Sequence, residues 1–251
     1  MRQFLLIIGL CVLMVSTVLA DMPQLKIYTE QYEPYNFVDK NNKSRGVQGI
    51  AVDLLVEMLE KAGSSQTIGD IKLVPWARGY KELQENSDTL LFSTTRTEQR
   101  EKEFKWVCPI AALKTEMIAL KSKHIVIKNP NEFGNHRIGS VRDDVGEQLI
   151  VKAGVPLEKL DRTSQYINNI KKLELGRIDL YVGSWESVLT LCKIHNIDPT
   201  VFEPVYTLNV SYLCYAFNRN TSDTVIDKLQ SALDKIFASG RMDELRKKYE
   251  Q

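Results

Sequence analysis

Residues 91–110 read LFSTTRTEQREKEFKWVCPI and concentrate the side chains best suited to gripping a small molecule. An apolar strand expected over 89–92 runs into the hydroxyls of Ser93, Thr94, Thr95 and Thr97, with Arg96 among them and Arg100 just beyond. A strand that ends in hydroxyls and turns into a helix presents free backbone N–H groups at its tip. Arginines beside such a tip make a site for a carboxylate or another anion. The apolar segment over 104–110 is expected to carry the chain across into a second lobe. A blander arrangement uses the same residues: a solvated helix start whose arginines pair with Glu98, Glu101 and Glu103.

Holding such groups in place takes strands that end side by side. Residues 25–29 alternate as a strand, followed by an aromatic-rich loop over 30–37 broken by Pro34 and a polar turn over 39–45. Ile50, Leu54, Leu55, Met58, Leu59 and Ala62 fall on one helical face, which Gly63 terminates. A strand over 71–74 leads through Pro75, Trp76 and Arg78 into a helix carrying Tyr80 and Leu83. Beyond the crossover, strands are expected over 117–120, 137–141, 178–182, 201–205 and 210–217. Helices are expected around Leu149 and Ile150, over 167–175, around Val188 and Leu191, from Asp223 onward, and over 242–249. Strands alternating with helices mean an α/β architecture, in which ligands collect at the carboxyl ends of the strands. The corners at 29–37, 75–78, 93–100, 140–144 and 183–186 place Tyr32, Trp76, Arg78, Ser93, Thr95, Arg96, Arg100, Arg142, Asp143, Ser184 and Glu186 as candidates. Rings and an anion clamp are what a ligand cleft needs, although aromatic side chains serve a core equally well.

Composition narrows the class. The first 20 residues read as a cleavable export leader: Arg2, an apolar run over 4–15, then small residues with Val18 and Ala20 where a signal peptidase reads. Leu10 stands before Cys11 where a lipoprotein signal needs a small residue, so no lipid anchor is expected. No later run is long and apolar enough to span a bilayer, so the expected product is a soluble exported chain starting at Asp21. The full sequence has 33 basic and 32 acidic residues, and loss of the leader removes Arg2; this near balance argues against nucleic acid or an anionic membrane as partner. The remaining length allows one large domain or two small ones. Loss of Cys11 leaves Cys108, Cys192 and Cys214; at most one disulfide forms, and Cys192 with Cys214 is the expected pair. No Cys/His cluster points to a metal, and His124, His136 and His195 are scattered.

Four segments together resemble the extracellular solute-binding proteins that serve polar amino acid ABC transporters, bacterial family 3. Residues 29–37 resemble the family's first-strand loop ending in a Pro-aromatic pair. Residues 49–54, GIAVDL, resemble its G-x-x-V-D-L helix. Residues 95–104 resemble its T-x-T-x-x-R…F signature, and 175–179 its L-x-x-G-x-x-D segment. The resemblance implies an α/β, two-lobed periplasmic-binding-protein fold with two hinge strands (type II). Lobe 1 would comprise 21–108 and 214–251, and lobe 2 residues 109–213, with crossings near 106–113 and 210–214. It implies a periplasmic monomer, without cofactor or metal, that closes on a small zwitterionic or anionic, amino acid-like solute for an ABC permease in the inner membrane.

Carried over by residue, Arg100 clamps the ligand carboxylate, as suits a bidentate guanidinium. Thr95 and the backbone near Ser93 bind the same group, Tyr32 and Trp76 pack on the apolar part, and Arg142 and Asp143 close from lobe 2. Where the family usually places an acid for the ligand α-ammonium, this chain has Ser184, with Glu186 the nearest substitute. Arg78 and Arg96 add positive charge and resemble a subgroup with P-W-x-R and R-T-x-x-R-E signatures. Two alternatives use the same scaffold. One is a dehydratase-like enzyme with Asp143, Asp144, Glu186 or Glu30 as general acid or base; the other is a sensory module acting on a membrane receptor.

Overall fold

A computed structural model describes residues 22–39 and 46–249. The leader expected over 1–20 lies outside the described residues, as does most of the turn expected over 39–45. β1 (Lys26–Thr29) leads through a ribbon of β2 (Phe37–Val38) and β3 (Val47–Gln48) to α1 (Ile50–Lys61); β4 (Ile71–Leu73), α2 (Trp76–Glu85) and β5 (Thr89–Thr95) follow. A short helical turn, α3 (Glu98–Glu101), delivers the chain to β6 (Phe104–Leu120). The next block is β7 (Ile138–Val141), α4 (Val145–Lys152), β8 (Asp161–Thr163), α5 (Tyr166–Glu174), β9 (Leu180–Gly183) and α6 (Trp185–His195). β10 (Phe202–Asn218) returns, and α7 (Asp223–Ala238) and α8 (Arg241–Tyr249) close the described chain.

The sheet runs in the order β4-β1-β5-β10-β6-β9-β7-β8. Pairing is parallel within β4-β1-β5 and within β9-β7-β8, where helices supply the crossovers. It is antiparallel where β10 meets β5 and β6, and where β6 meets β9. β6 and β10 are each 17 residues long, enough to serve both halves of the molecule. β10 pairs with β5 over residues 213–217, and β6 with β9 over residues 116–119. Between those stretches, among the described residues, the two strands have only each other as sheet partners, which makes this ribbon the hinge. The separate strands expected over 201–205 and 210–217 are thus one strand, as is the piece at 117–120 with the crossover before it. Register shifts at Pro204/Tyr206 and Thr207/Asn209 break the alternation that would have joined them.

The apolar helical face found in the sequence is the one buried: Ile50, Leu54, Leu55, Met58 and Leu59 of α1 pack in one core with Leu229, Leu233 and Ile236 of α7. A second core joins Met117, Phe133, Ile138, Ile150, Leu180 and Val182 across the other half. Gly49 precedes α1 at φ 131°, and any Cβ there would collide with the Tyr35 carbonyl, so glycine is required. The disulfide joins Cys108, not Cys192, to Cys214. Antiparallel pairing sets Val107 opposite Tyr215 and brings the flanking cysteines to a Cα–Cα distance of 4.7 Å. Cys192 lies buried on α6 as a free thiol.

Candidate functional site

The carboxyl ends of β1 and β5 build one wall of the cleft. β1 delivers Glu30, 5% exposed, and the loop after it is tied down by buried Asn36. The Asn36 Nδ2 donates to the Glu30 carbonyl at 2.8 Å, and its Oδ1 accepts from the Ser93 hydroxyl. Ser93 sits at φ 58° and is skipped in the β5–β10 register, where Phe92 faces Tyr215 and Thr94 faces Cys214. A serine in the left-handed region costs about 1–3 kcal/mol and marks a tip held in place by its surroundings. Beyond it, Thr97 accepts the Arg100 backbone N–H at 3.2 Å and starts α3.

Arg100 is fully buried. Its Nε donates to Gln148 Oε1 at 3.0 Å, Nη1 to the Thr95 carbonyl at 3.2 Å, and Nη2 to the Asp143 carbonyl at 3.3 Å. Its guanidinium lies 5.4 Å from the Trp76 ring centroid and 5.0 Å from that of Tyr80. Among the described residues the acceptors of these three bonds are neutral, and the Tyr80 hydroxyl bonds to the same guanidinium. The Asp144 and Glu30 charges act on it only at longer range, so a carboxylate in direct contact would be a favourable partner.

Lobe 2 presents its own strand ends. Asp143 adopts φ 59°, which turns its carbonyl toward Trp76 Nε1 at 2.9 Å and toward Arg100. Asp144 caps α4, its Oδ1 accepting the Val145 N–H at 2.6 Å. The Tyr166 hydroxyl, at the start of α5, stands 2.8 Å from Glu30 Oε1 and 3.4 Å from Asp144 Oδ2. Burial and then the Asp144 charge push the Glu30 carboxyl well above its ordinary range, against the Tyr166 hydrogen bond and Arg100. Burial also raises Asp144, opposed by Arg100 and the Val145 N–H. Between the walls lies a cavity of about 20 Å³, lined by Tyr32, Ser93, Thr95, Thr115, Asp144, Tyr166 and Ser184 among others. The Thr115 hydroxyl facing it is buried and without a hydrogen-bond partner.

The cleft therefore gathers Tyr32, Trp76, Ser93, Thr95, Arg100 and Ser184 from the expected set. Others go elsewhere. Arg78 and Arg142 are exposed, because α2 and the β7 tip turn those side chains outward. Arg96 makes a bidentate ion pair with Glu101 at 2.6 and 2.7 Å, the pairing of the blander arrangement. Asp143 contributes its carbonyl, while its exposed carboxylate lies 3.4 Å from Arg162. Glu186 is exposed and accepts from the Ser184 hydroxyl at 2.8 Å. Tyr80, Gln148 and Tyr166 carried no signal in the sequence. Glu30 and Asp144 stood out only as candidate general acids or bases of the enzyme alternative.

The model of the bacterial extracellular solute-binding proteins, family 3, matches residues 25–251. The chain belongs to this family. No curated protein matches the sequence. Among solved structures, a histidine kinase sensor domain with similarity to periplasmic binding proteins shares 16% identity at a TM-score of 0.76, covering 90% of this chain and 96% of that one. The substrate-binding protein of an amino acid ABC transporter shares 15% identity at 0.73, covering 90% and 99%. The arginine-, lysine-, histidine-binding protein ArtJ of Geobacillus stearothermophilus shares 18% identity at 0.70, covering 90% and 95%. At these identities the likeness establishes the two-lobed fold, and the family 3 membership establishes a solute-binding role.

Proposed function

We propose that this protein captures a small zwitterionic, amino acid-like solute in the periplasm and passes it to an ABC permease of the inner membrane. It does so as an exported monomer whose lobe 1 comprises 21–108 and 214–251 and whose lobe 2 comprises 109–213. The observation that carries the reading is the opposition of Arg100, buried and hydrogen-bonded directly to neutral groups, to Glu30 and Asp144 joined through Tyr166. Arg100 and Thr95 take the carboxylate, and the two acids take the ammonium that Ser184 is unable to bind as a charge. Trp76 stacks beside the clamp and Tyr32 lines the cavity.

Thermal-shift screening of the exported form against amino acids, organic acids and polyamines tests this. An amino acid is expected to stabilise the fold by about 1.4 kcal/mol for each tenfold excess over Kd, and so to raise Tm. Arg100→Ala is expected to abolish the rise; a variant stabilised as much as the parent removes Arg100 from the site. One observation also favours an enzyme: Glu30 and Tyr166 are a carboxyl with a raised pKa and a hydroxyl inside the cleft. Turnover of a hydroxy acid that is lost in Glu30→Gln would replace the capture reading.

A further inference from the structure

We propose that closure of the empty protein takes up one proton, held by Glu30 and relayed through Tyr166 to Asp144, and that the ammonium of a captured solute takes its place. The second half rests on the capture reading above; the first does not. The argument is geometric. The Tyr166 hydroxyl has a single hydrogen, yet it stands within hydrogen-bonding distance of both carboxyls, at 2.8 Å from Glu30 and 3.4 Å from Asp144. It donates to one and must face the other with a lone pair. Two carboxylates would leave one oxygen set against that lone pair in a buried site. One protonated carboxyl completes a chain in which Glu30 donates to Tyr166 and Tyr166 donates to Asp144.

The surroundings choose which acid carries the proton. Asp144 receives the Val145 N–H at 2.6 Å and sits at the positive end of α4, which favours its anion. The Glu30 carboxyl, 5% exposed, receives no donor but Tyr166 among the described residues. The charged and titratable groups facing Glu30 are Asp144, Glu33 and Arg100, with Tyr166 bonded to it and His195 of α6 lining the side cavity beside it. Those facing Asp144 are Arg100, Glu147 and Tyr166. The Tyr32 and Tyr181 rings see both acids. Arg100 alone balances one acid of the two, so the cluster still needs one positive charge. A side cavity of about 330 Å³ lined by Glu30, Glu33 and Tyr166 supplies the path for the proton.

Glu30 belongs to one lobe and Tyr166 with Asp144 to the other, so opening separates them and returns Glu30 to water. The raised pKa of the closed form then fixes the sign. Closure is fully favoured below the open-state value. It weakens as pH rises toward the closed-state value, by up to about tenfold in the closed-to-open ratio per pH unit. On solute binding the Glu30 O–H breaks, its proton leaves to buffer, and the ammonium N–H takes over the bond.

Small-angle X-ray scattering of the solute-free protein between pH 5 and 8 tests the proton without any solute. The expected result is a radius of gyration that grows with pH, and a Glu30→Gln variant that stays compact throughout, its amide donating to Tyr166. Circular dichroism confirms that the variant is folded, and Tyr166→Phe serves as a second probe, expected to be more open than the parent at pH 5. A parent radius equal at every pH overturns the proposal, as does a pH response shared by parent and Glu30→Gln. A failed solute screen with the pH response intact would sink the capture reading alone.

Discussion

Glu147 shows how a side chain outside the cavity sets the site. It is 3% exposed, yet it remains ionised because Arg162 donates to it twice at 2.7 Å, Ser140 at 2.9 Å and the Asp143 N–H at 2.9 Å. Burial by itself would raise its pKa; these donors outweigh burial and leave the carboxyl below its ordinary range. The Asp143 bond holds that residue left-handed and so aims its carbonyl at Trp76 and Arg100. Arg162→Ala leaves a buried carboxylate short of its cation and is expected to cost about 3 kcal/mol at pH 7, read from denaturant midpoints. A depressed folded pKa gives stability that is present above the unfolded value near 4.3 and lost as pH falls through the folded one. The variant's deficit should therefore shrink toward pH 4, and a constant deficit would show that Arg162 acts by packing alone. At this scale the sequence was legible where a single corner defines a residue's place, as for Ser93, Thr95 and Arg100. Glu30, Asp144 and Tyr166 come from three corners, and only the approach of the two lobes makes them neighbours. Arg78, Arg96 and Arg142 were drawn in by their place at strand-end corners and by the family resemblance; side-chain direction and a nearby Glu101 sent them elsewhere.

At the scale of elements, the paired long strands carry the fold. The disulfide between Cys108 and Cys214 staples them at a sequence separation of 106 residues, closing the whole second half of the sheet into a loop. A loop of that length gives about 4–5 kcal/mol in the chain-entropy account, and removal of native disulfides generally costs about 2–5 kcal/mol. Cys108→Ala with Cys214→Ala is expected to lower stability within that range, while a Cys192→Ala control, which leaves the bridge whole, should alter it by no more than its own packing. Equal unfolding of the parent with and without reductant would exclude a role for the bridge. The helices were legible because α1 and α7 keep a continuous apolar face. The strands were legible only in part. Residues 203–212 of β10 are exposed or half-buried through the hinge, so no period-two stripe marks it as one strand. The cysteine pairing failed for the same reason: with β10 read as two pieces, nothing set Cys214 opposite Cys108.

For the molecule as a whole, closure is a balance among a few polar bonds that cross the cleft. Trp76 Nε1 to the Asp143 carbonyl, Arg100 to Gln148 and to the same carbonyl, and Tyr166 to Glu30 each join one lobe to the other. In the open form water replaces every one, so each contributes only about 0.5–1.5 kcal/mol, or somewhat more where a charge is involved. Gln148 is the informative member. It is half-buried on α4, alanine suits a helix there, and its amide occupies the Arg100 Nε that a ligand carboxylate would compete for. Gln148→Ala strands a buried charged donor only when the lobes are shut. A cost of about 1.4 kcal/mol there lowers the closed-to-open ratio roughly tenfold while leaving unfolding stability within about 0.5 kcal/mol. Scattering at fixed pH should show an expanded solute-free variant. A saturating amino acid that restores the Arg100 partner should return it to the parent's compact radius. An expansion that persists with solute bound would mean that Gln148 holds the lobes by itself, and that Arg100 is a latch rather than a clamp.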